Sequence, residues 1–176
     1  MLRGRFSTPF PASKDYPGMF QMHRIFCATP WELEAERNRF HELIGNFNET
    51  AAMQRGVLYV PVTLVNIRDK RPLQYAVDEN IRDCRHYILL LSEDWGPVER
   101  NFRNDYHMAL QCVADPALPM HSVAVLSKEQ LSGVPLAGGL PEPAAGFSTL
   151  AEFDGCVNNL LAAWLESTAS TGAATA

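Results

Sequence analysis

Apolar residues recur along this chain in two patterns, one spaced by three or four positions and one in short unbroken runs. The stretch Gln74 to Ala109 holds both. Leu73, Val77, Ile81 and Cys84 follow a helical period, and the run Tyr87-Ile88-Leu89-Leu90-Leu91 follows them. A polar segment, Ser92-Glu93-Asp94-Trp95-Gly96-Pro97, leads to a second helical period at Phe102, Tyr106, Ala109, Leu110 and Val113. The order is helix, buried strand, loop, helix, and a strand apolar on both faces belongs in the middle of a parallel sheet.

The same reading extends to both sides. Arg24 to Ala28 predicts a first buried strand, and Thr29-Pro30-Trp31-Glu32 has the form of a capping box, with Thr29 as N-cap. Leu33, Phe40, Leu43, Ile44 and Phe47 mark the inward stripe of the helix that follows, with a break or bend expected at Gly45-Asn46 before a further turn through Met53, and an end at Gly56. Val57 to Val62 predicts a second strand, placed at the sheet's edge or at its own end by Pro61. Asn66 to Pro72 is a charged loop, and Ser122 to Leu126 a fourth strand. The Gly, Pro and Ala-rich stretch Ser127 to Gly146 predicts a long loop ending in a short edge strand near Phe147. A second capping box at Thr149 to Glu152 opens the last helix, with Leu150, Phe153, Val157, Leu160, Leu161 and Trp164 facing the sheet. The expected organisation is an N-terminal arm over residues 1–22, one α/β domain over 23–167 and a flexible tail over 168–176.

Alternating strands and helices predict right-handed βαβ units and a parallel sheet of four or five strands. The expected order is 2-1-3-4, with a fifth strand at the edge, giving a flavodoxin-like three-layer sandwich. Its switch point lies between strands 1 and 3, so Thr29 to Trp31 and Ser92 to Trp95 are expected to face each other across one crevice.

Composition narrows the function classes. A chain of 176 residues is one domain's worth, with 47% apolar and 20% charged residues. Its formal charge of −5 argues against a nonspecific grip on nucleic acid. No apolar run nears the ~20 residues of a membrane span and no signal-peptide pattern is present, so a cytoplasmic protein is expected. Cys27, Cys84, Cys112 and Cys156 are widely spaced on mostly apolar faces, and read as reduced core thiols rather than zinc ligands. His23, His41, His86, His107 and His121 show no ligand spacing and receive no role. The sequence has no P-loop, no G-x-G-x-x-G and no G-x-S-x-G elbow. Ala28-Thr29 lacks the acidic residues that a phosphoacceptor receiver needs at the end of its first strand.

Three segments, R-I-F-C-A-T followed by L-E-A-E-R, I-R-D-C-R-H-Y-I-L-L-L-S-E-D-W-G, and F-R-N-D-Y-H-M-A-L, together resemble the TIR-like superfamily, in particular its bacterial TIR-like domains of unknown function. The similarity runs from Arg24 to about Leu165. Glu36-Arg37 stands at the group's acidic helix and Trp95-Gly96 at the end of its buried strand. Arg85 stands where the group commonly has Asp, and Asp105 where catalytic members and related nucleoside deoxyribosyltransferases have Glu.

The resemblance implies two functions of different class. One is a non-catalytic signalling or defence module that recognises a nucleotide or a partner domain, as a homo-oligomer or with another TIR-like domain. The other is an N-glycosidase or glycosyl-transferring enzyme acting on NAD or a nucleoside, with Asp105 as its carboxylate at an oxocarbenium-like centre. Both leave NAD or another nucleotide as ligand or substrate, and no metal. Asp105 also suits the dipole of a helix start, a purely structural role. Trp31 and Trp95 are candidate stacking partners for a base, or core indoles. Ser92, Glu93 and Asp94 are candidate ribose contacts, or a plain polar loop. Arg37 and Arg100 are candidate phosphate contacts, or members of ion pairs with Glu36 and Glu99. A phosphate would meet either the helix end after Thr29, where Glu32 repels it, or the helix near Asn101 with Arg100 or Arg103.

Overall fold

The computed structural model of the chain describes residues 20–62, 73–92, 95, 101–128 and 144–172, without the side chains of residues 73 and 169–172. Five strands, β1 Gln21–Ala28, β2 Val57–Val62, β3 His86–Leu91, β4 Ser122–Lys128 and β5 Ala145–Phe147, form one parallel sheet in the order β2-β1-β3-β4-β5. Four α-helices, α1 Glu34–Phe47, α2 Leu73–Arg82, α3 Phe102–Ala114 and α4 Leu150–Gly172, flank it as in a flavodoxin-like sandwich.

The core is two-sided because strand side chains alternate. Ile25, Cys27, Ile88, Leu90, Ala124 and Leu126 meet Phe40, Leu43 and Ile44 of α1 and Phe153, Val157 and Leu161 of α4. Phe26, Ala28, Tyr87, Leu89, Leu91 and Val125 meet Val77 and Ile81 of α2 and Phe102, Ala109 and Cys112 of α3. Every residue of β3 is buried, as a central strand in a doubly covered sheet requires. β2 is an edge strand, and Pro61 is its penultimate residue, where a missing donor does least harm. Cys27, Cys84 and Cys112 are buried free thiols and Cys156 is partly covered. Among the described residues no helix is long and apolar enough to cross a membrane.

Four local expectations change. The first capping box does not form. The helical run opens with a 3-10 turn at Trp31–Leu33 whose cap position is Pro30, and no side chain caps it. Pro30 is itself extended (φ −57°, ψ 153°), which displaces the helix start by one residue. Thr29 Oγ1 instead lies 3.2 Å from Cys27 Sγ. The second box forms in full: Glu152 N–H donates to Thr149 Oγ1 at 3.2 Å, and Glu152 Oε2 accepts from Thr149 N–H at 3.2 Å and from Ser148 N–H at 2.6 Å.

Gly45 and Asn46 do not break α1, which runs through Phe47; the further turn expected through Met53 is present, as a π-turn at Asn48–Ala52 followed by a 3-10 turn at Met53–Arg55. The reason lies with Asn48. Its buried amide donates from Nδ2 to Tyr59 O and accepts from Tyr59 N–H, both at 2.9 Å, so it pairs with the open edge of β2 as a strand would. Gly56, at φ +71°, ends the run in the left-handed conformation that glycine adopts most readily.

On α3 the inward stripe is Phe102, Asp105, Ala109 and Cys112, whereas Leu110 and Val113 are each 41% exposed. A carboxylate on the inner face hid the true period. At the ends, β1 already begins at Gln21, inside the stretch expected to be an arm, and α4 continues past residue 167 to Gly172. Ser167 and Thr168 hydroxyls both donate to Trp164 O, at 2.8 and 2.9 Å, which keeps these small polar residues compatible with helix. The first nineteen residues, most of the expected arm, lie outside the described residues.

Candidate functional site

Parallel strands all end on one edge, and the chain leaves that edge in turn after Ala28, Val62, Leu91 and Lys128. The order reverses between β1 and β3, so their carboxyl ends flank the switch point. Between the two segments expected to face each other there, the contact that forms lies one residue beyond Thr29–Trp31: Ser92 Oγ, one residue past β3, donates to Glu32 Oε1 at 3.2 Å. Thr29 sits beside this contact in the chain, half-buried, with its hydroxyl against Cys27. Trp31 is 74% exposed, so its indole is no part of the core.

A second polar bridge lies next to the first. Lys128 Nζ, at the end of β4, is 2.6 Å from Glu36 Oε1. The Glu36 side chain is 4% exposed and that of Lys128 38%, so a buried carboxylate holds a partly open ammonium. Leu91 and Ser127 are register partners, which sets Ser92 and Lys128 side by side on the rows that face α1. Glu32 and Glu36 are four residues apart along that helical run, one turn for each bridge. The sequence suggested Glu36 as an ion-pair partner within its own helix and gave Lys128 no role, because the pair is separated by 92 residues and meets only once β4 is in place.

The remaining candidates sit elsewhere. Trp95 is partly buried and turned to the α2–α3 side, its ring 5.9 Å from that of Tyr106. Asp105 is fully buried in the first turn of α3, and its Oδ1 accepts a hydrogen bond from Gln74 Nε2 of α2 at 2.8 Å. The same amide donates to Asp78 Oδ1 at 2.8 Å. Asp105 is thus held between two helices on the face opposite the Ser92–Glu32 and Lys128–Glu36 bridges. Arg103 is exposed on α3, and Arg37 pairs with Glu34 at 3.3 Å rather than with Glu36. Glu93, Asp94 and Arg100 lie outside the described residues.

Among the described residues, this stretch of the carboxyl edge carries the carboxylates of Glu32 and Glu36, the ammonium of Lys128, the hydroxyls of Ser92 and Thr29, and the exposed Trp31. With Glu36 already paired to Lys128, the exposed Glu32 carboxylate is the acceptor left to a ligand's hydroxyl donors, such as a ribose diol. Cys27 below it is no nucleophile, since burial pushes its thiol up to about 12 despite the Thr29 hydrogen bond and the Arg37 charge that lower it. Among the described residues no group of His, Cys, Asp and Glu is arranged to hold a metal ion. Compared with models of protein families and with curated proteins, the sequence matches none.

Proposed function

We propose that this chain is a TIR-like recognition module of signalling or defence, non-catalytic, whose carboxyl-edge crevice takes a nucleoside or nucleotide. The observation that carries the non-catalytic reading is the burial of Asp105. The carboxylate at the position matched to the catalytic Glu is fully enclosed and engaged by Gln74, so it has no open approach to a ribose. A catalytic carboxylate must reach the reacting carbon, and losing that approach removes the proximity on which glycosyl transfer depends. Nucleoside recognition is supported by Glu32 and Ser92, which pair a carboxylate with a hydroxyl at the carboxyl edge, and by the exposed ring of Trp31 in the same turn as Glu32. A base can stack on such a ring while its ribose hydroxyls donate to the carboxylate.

The test is to incubate the purified protein with NAD and with nucleosides, follow free base by chromatography, and measure binding by calorimetry. The expected outcome is binding heat without free base, weakened at least several-fold by Trp31→Ala. Release of free base that disappears in Asp105→Ala would establish the glycosidase reading instead.

A further inference from the structure

At the amino edge of the same sheet, away from the crevice, one ring from each of three neighbouring strands meets the others: Tyr59 of β2, His23 of β1 and His86 of β3. Their centroids lie 5.5 Å (His23–Tyr59), 5.8 Å (His23–His86) and 6.1 Å (Tyr59–His86) apart. All three residues are buried. Trp164 of α4 stacks on His86 at 4.1 Å and 9°, and Phe47 of α1 lies 6.0 Å from Tyr59, so both covering helices close over the cluster.

Among the described residues, the polar atoms of these rings have almost no partners. His86 Nδ1 lies 2.8 Å from Ser122 Oγ. His23 Nδ1, His23 Nε2, His86 Nε2 and the Tyr59 hydroxyl have no hydrogen-bond partner among the described residues. Buried polar groups are nearly always satisfied, by protein or by ordered water, and four orphans gathered in one cluster call for a common partner. A neutral imidazole has one donor and one acceptor, and a phenol can both give and take. Water, with two donors and two acceptors, answers that set.

We infer that His23, Tyr59 and His86 enclose a structural water site that ties β2, β1 and β3 together beneath Trp164. A divalent cation suits the cluster less well. Among the described residues no group of carboxylates, thiolates and imidazoles is arranged there to hold a metal, and the positive charge of Arg85 acts on both histidines and on Tyr59. Burial holds His23 down to about 4 and His86 down to about 3, so at pH 7 both rings are neutral and each has an acceptor nitrogen as well as a donor.

Water-selected NOE spectroscopy on the unaltered protein at pH 7 tests the site directly. Cross-peaks from a long-lived water to the ring protons of His23 and His86 are expected, and their absence overturns the inference. Tyr59→Phe gives an independent sign. A hydrated site loses one of the water's partners and the melting temperature falls, whereas a dry cluster sheds an orphan hydroxyl and the melting temperature holds or rises. A melting temperature that holds or rises therefore also counts against the site. Zinc titration is expected to change neither the melting temperature nor the histidine resonances; stabilisation by zinc would assign the cluster to a cation and overturn the assignment to water.

Discussion

Asp105 shows how one side chain can satisfy two different demands of a sequence pattern. It sits in the first turn of α3, where the helix dipole favours a carboxylate, and it faces inward, where Gln74 supplies a donor. Removing it leaves that amide with fewer partners and a void between α2 and α3. Asp105→Ala is expected to lower stability by about 1–3 kcal/mol in chemical denaturation, and Asp105→Asn, which keeps Oδ1, by clearly less. Binding in the crevice is expected to be unchanged by either substitution. A nucleoside affinity that falls with Asp105→Asn while stability holds would place Asp105 in the binding site after all. Ser92 and Thr29 were legible as residues just past the ends of neighbouring strands, because chain order alone sets those ends. Glu36 and Lys128 were not, since their pairing depends on the register between β3 and β4. The histidines were set aside for want of ligand spacing, although His23 shares the strand parity of Ile25 and His86 that of Ile88. Parity along adjacent strands, rather than spacing along the chain, was the signal that would have grouped them with Tyr59.

Among the elements, the turn between α1 and β2 does more than connect. An edge strand exposes unpaired backbone groups, and here Asn48 engages both the N–H and the carbonyl of Tyr59. Asn48→Ala leaves these buried groups unsatisfied and is expected to destabilise by about 1–3 kcal/mol for each bond lost. Asn48→Asp restores only the acceptor half and is expected to fall between wild type and Ala. Equal stability of Asn48→Ala and wild type would mean that solvent reaches that edge. Gly56 closes the same segment at φ +71°, and a Cβ built there meets nothing within 4 Å. The cost of Gly56→Ala is therefore conformational only, about 1–2 kcal/mol, and a larger loss would point to packing that the open surroundings do not suggest. The strands, their order and the Thr149 cap could all be read from periodicity and capping residues, because those signals are local. The π-turn could not, since it exists to deliver a side-chain amide to a strand that comes later in the chain. The failed cap at Thr29 has a related side: besides the start displaced by Pro30, Glu32, the expected reciprocal partner, accepts from Ser92 at the end of the neighbouring strand.

For the molecule as a whole, α1 and α4 are fastened on one face by the bidentate Arg39–Asp154 pair, at 2.8 and 2.6 Å, and rest together on a layer whose amino end is the histidine cluster. That layer makes stability depend on pH. His23 and His86 are held neutral by burial, with the positive charges of Arg85 and of protonated His121 further opposing their protonation. In the unfolded chain both titrate near the ordinary 6.5, so between that value and about 4 the unfolded state binds more protons and folding loses ground as pH falls. The contribution is complete above about pH 6.5, and each histidine withdraws it by roughly 1.4 kcal/mol per pH unit across the window. Asp154 acts in the same direction but later: Arg39 depresses its carboxyl, so its contribution persists to lower pH and is lost only through the acid range below the ordinary carboxylate value. Urea midpoints at pH 7, 6, 5 and 4 are therefore expected to drop already between 6 and 5, before most carboxylates titrate. In His86→Phe the ring stack on Trp164 is retained while one titrating group is removed, and the early drop is expected to shrink by about half, even if the midpoint at pH 7 is lower for loss of the Ser122 bond. A midpoint that stays level from pH 7 to 5 would mean that the two histidines gain protons in the fold as readily as in the unfolded chain, and that the amino edge is open to water rather than sealed by α1 and α4.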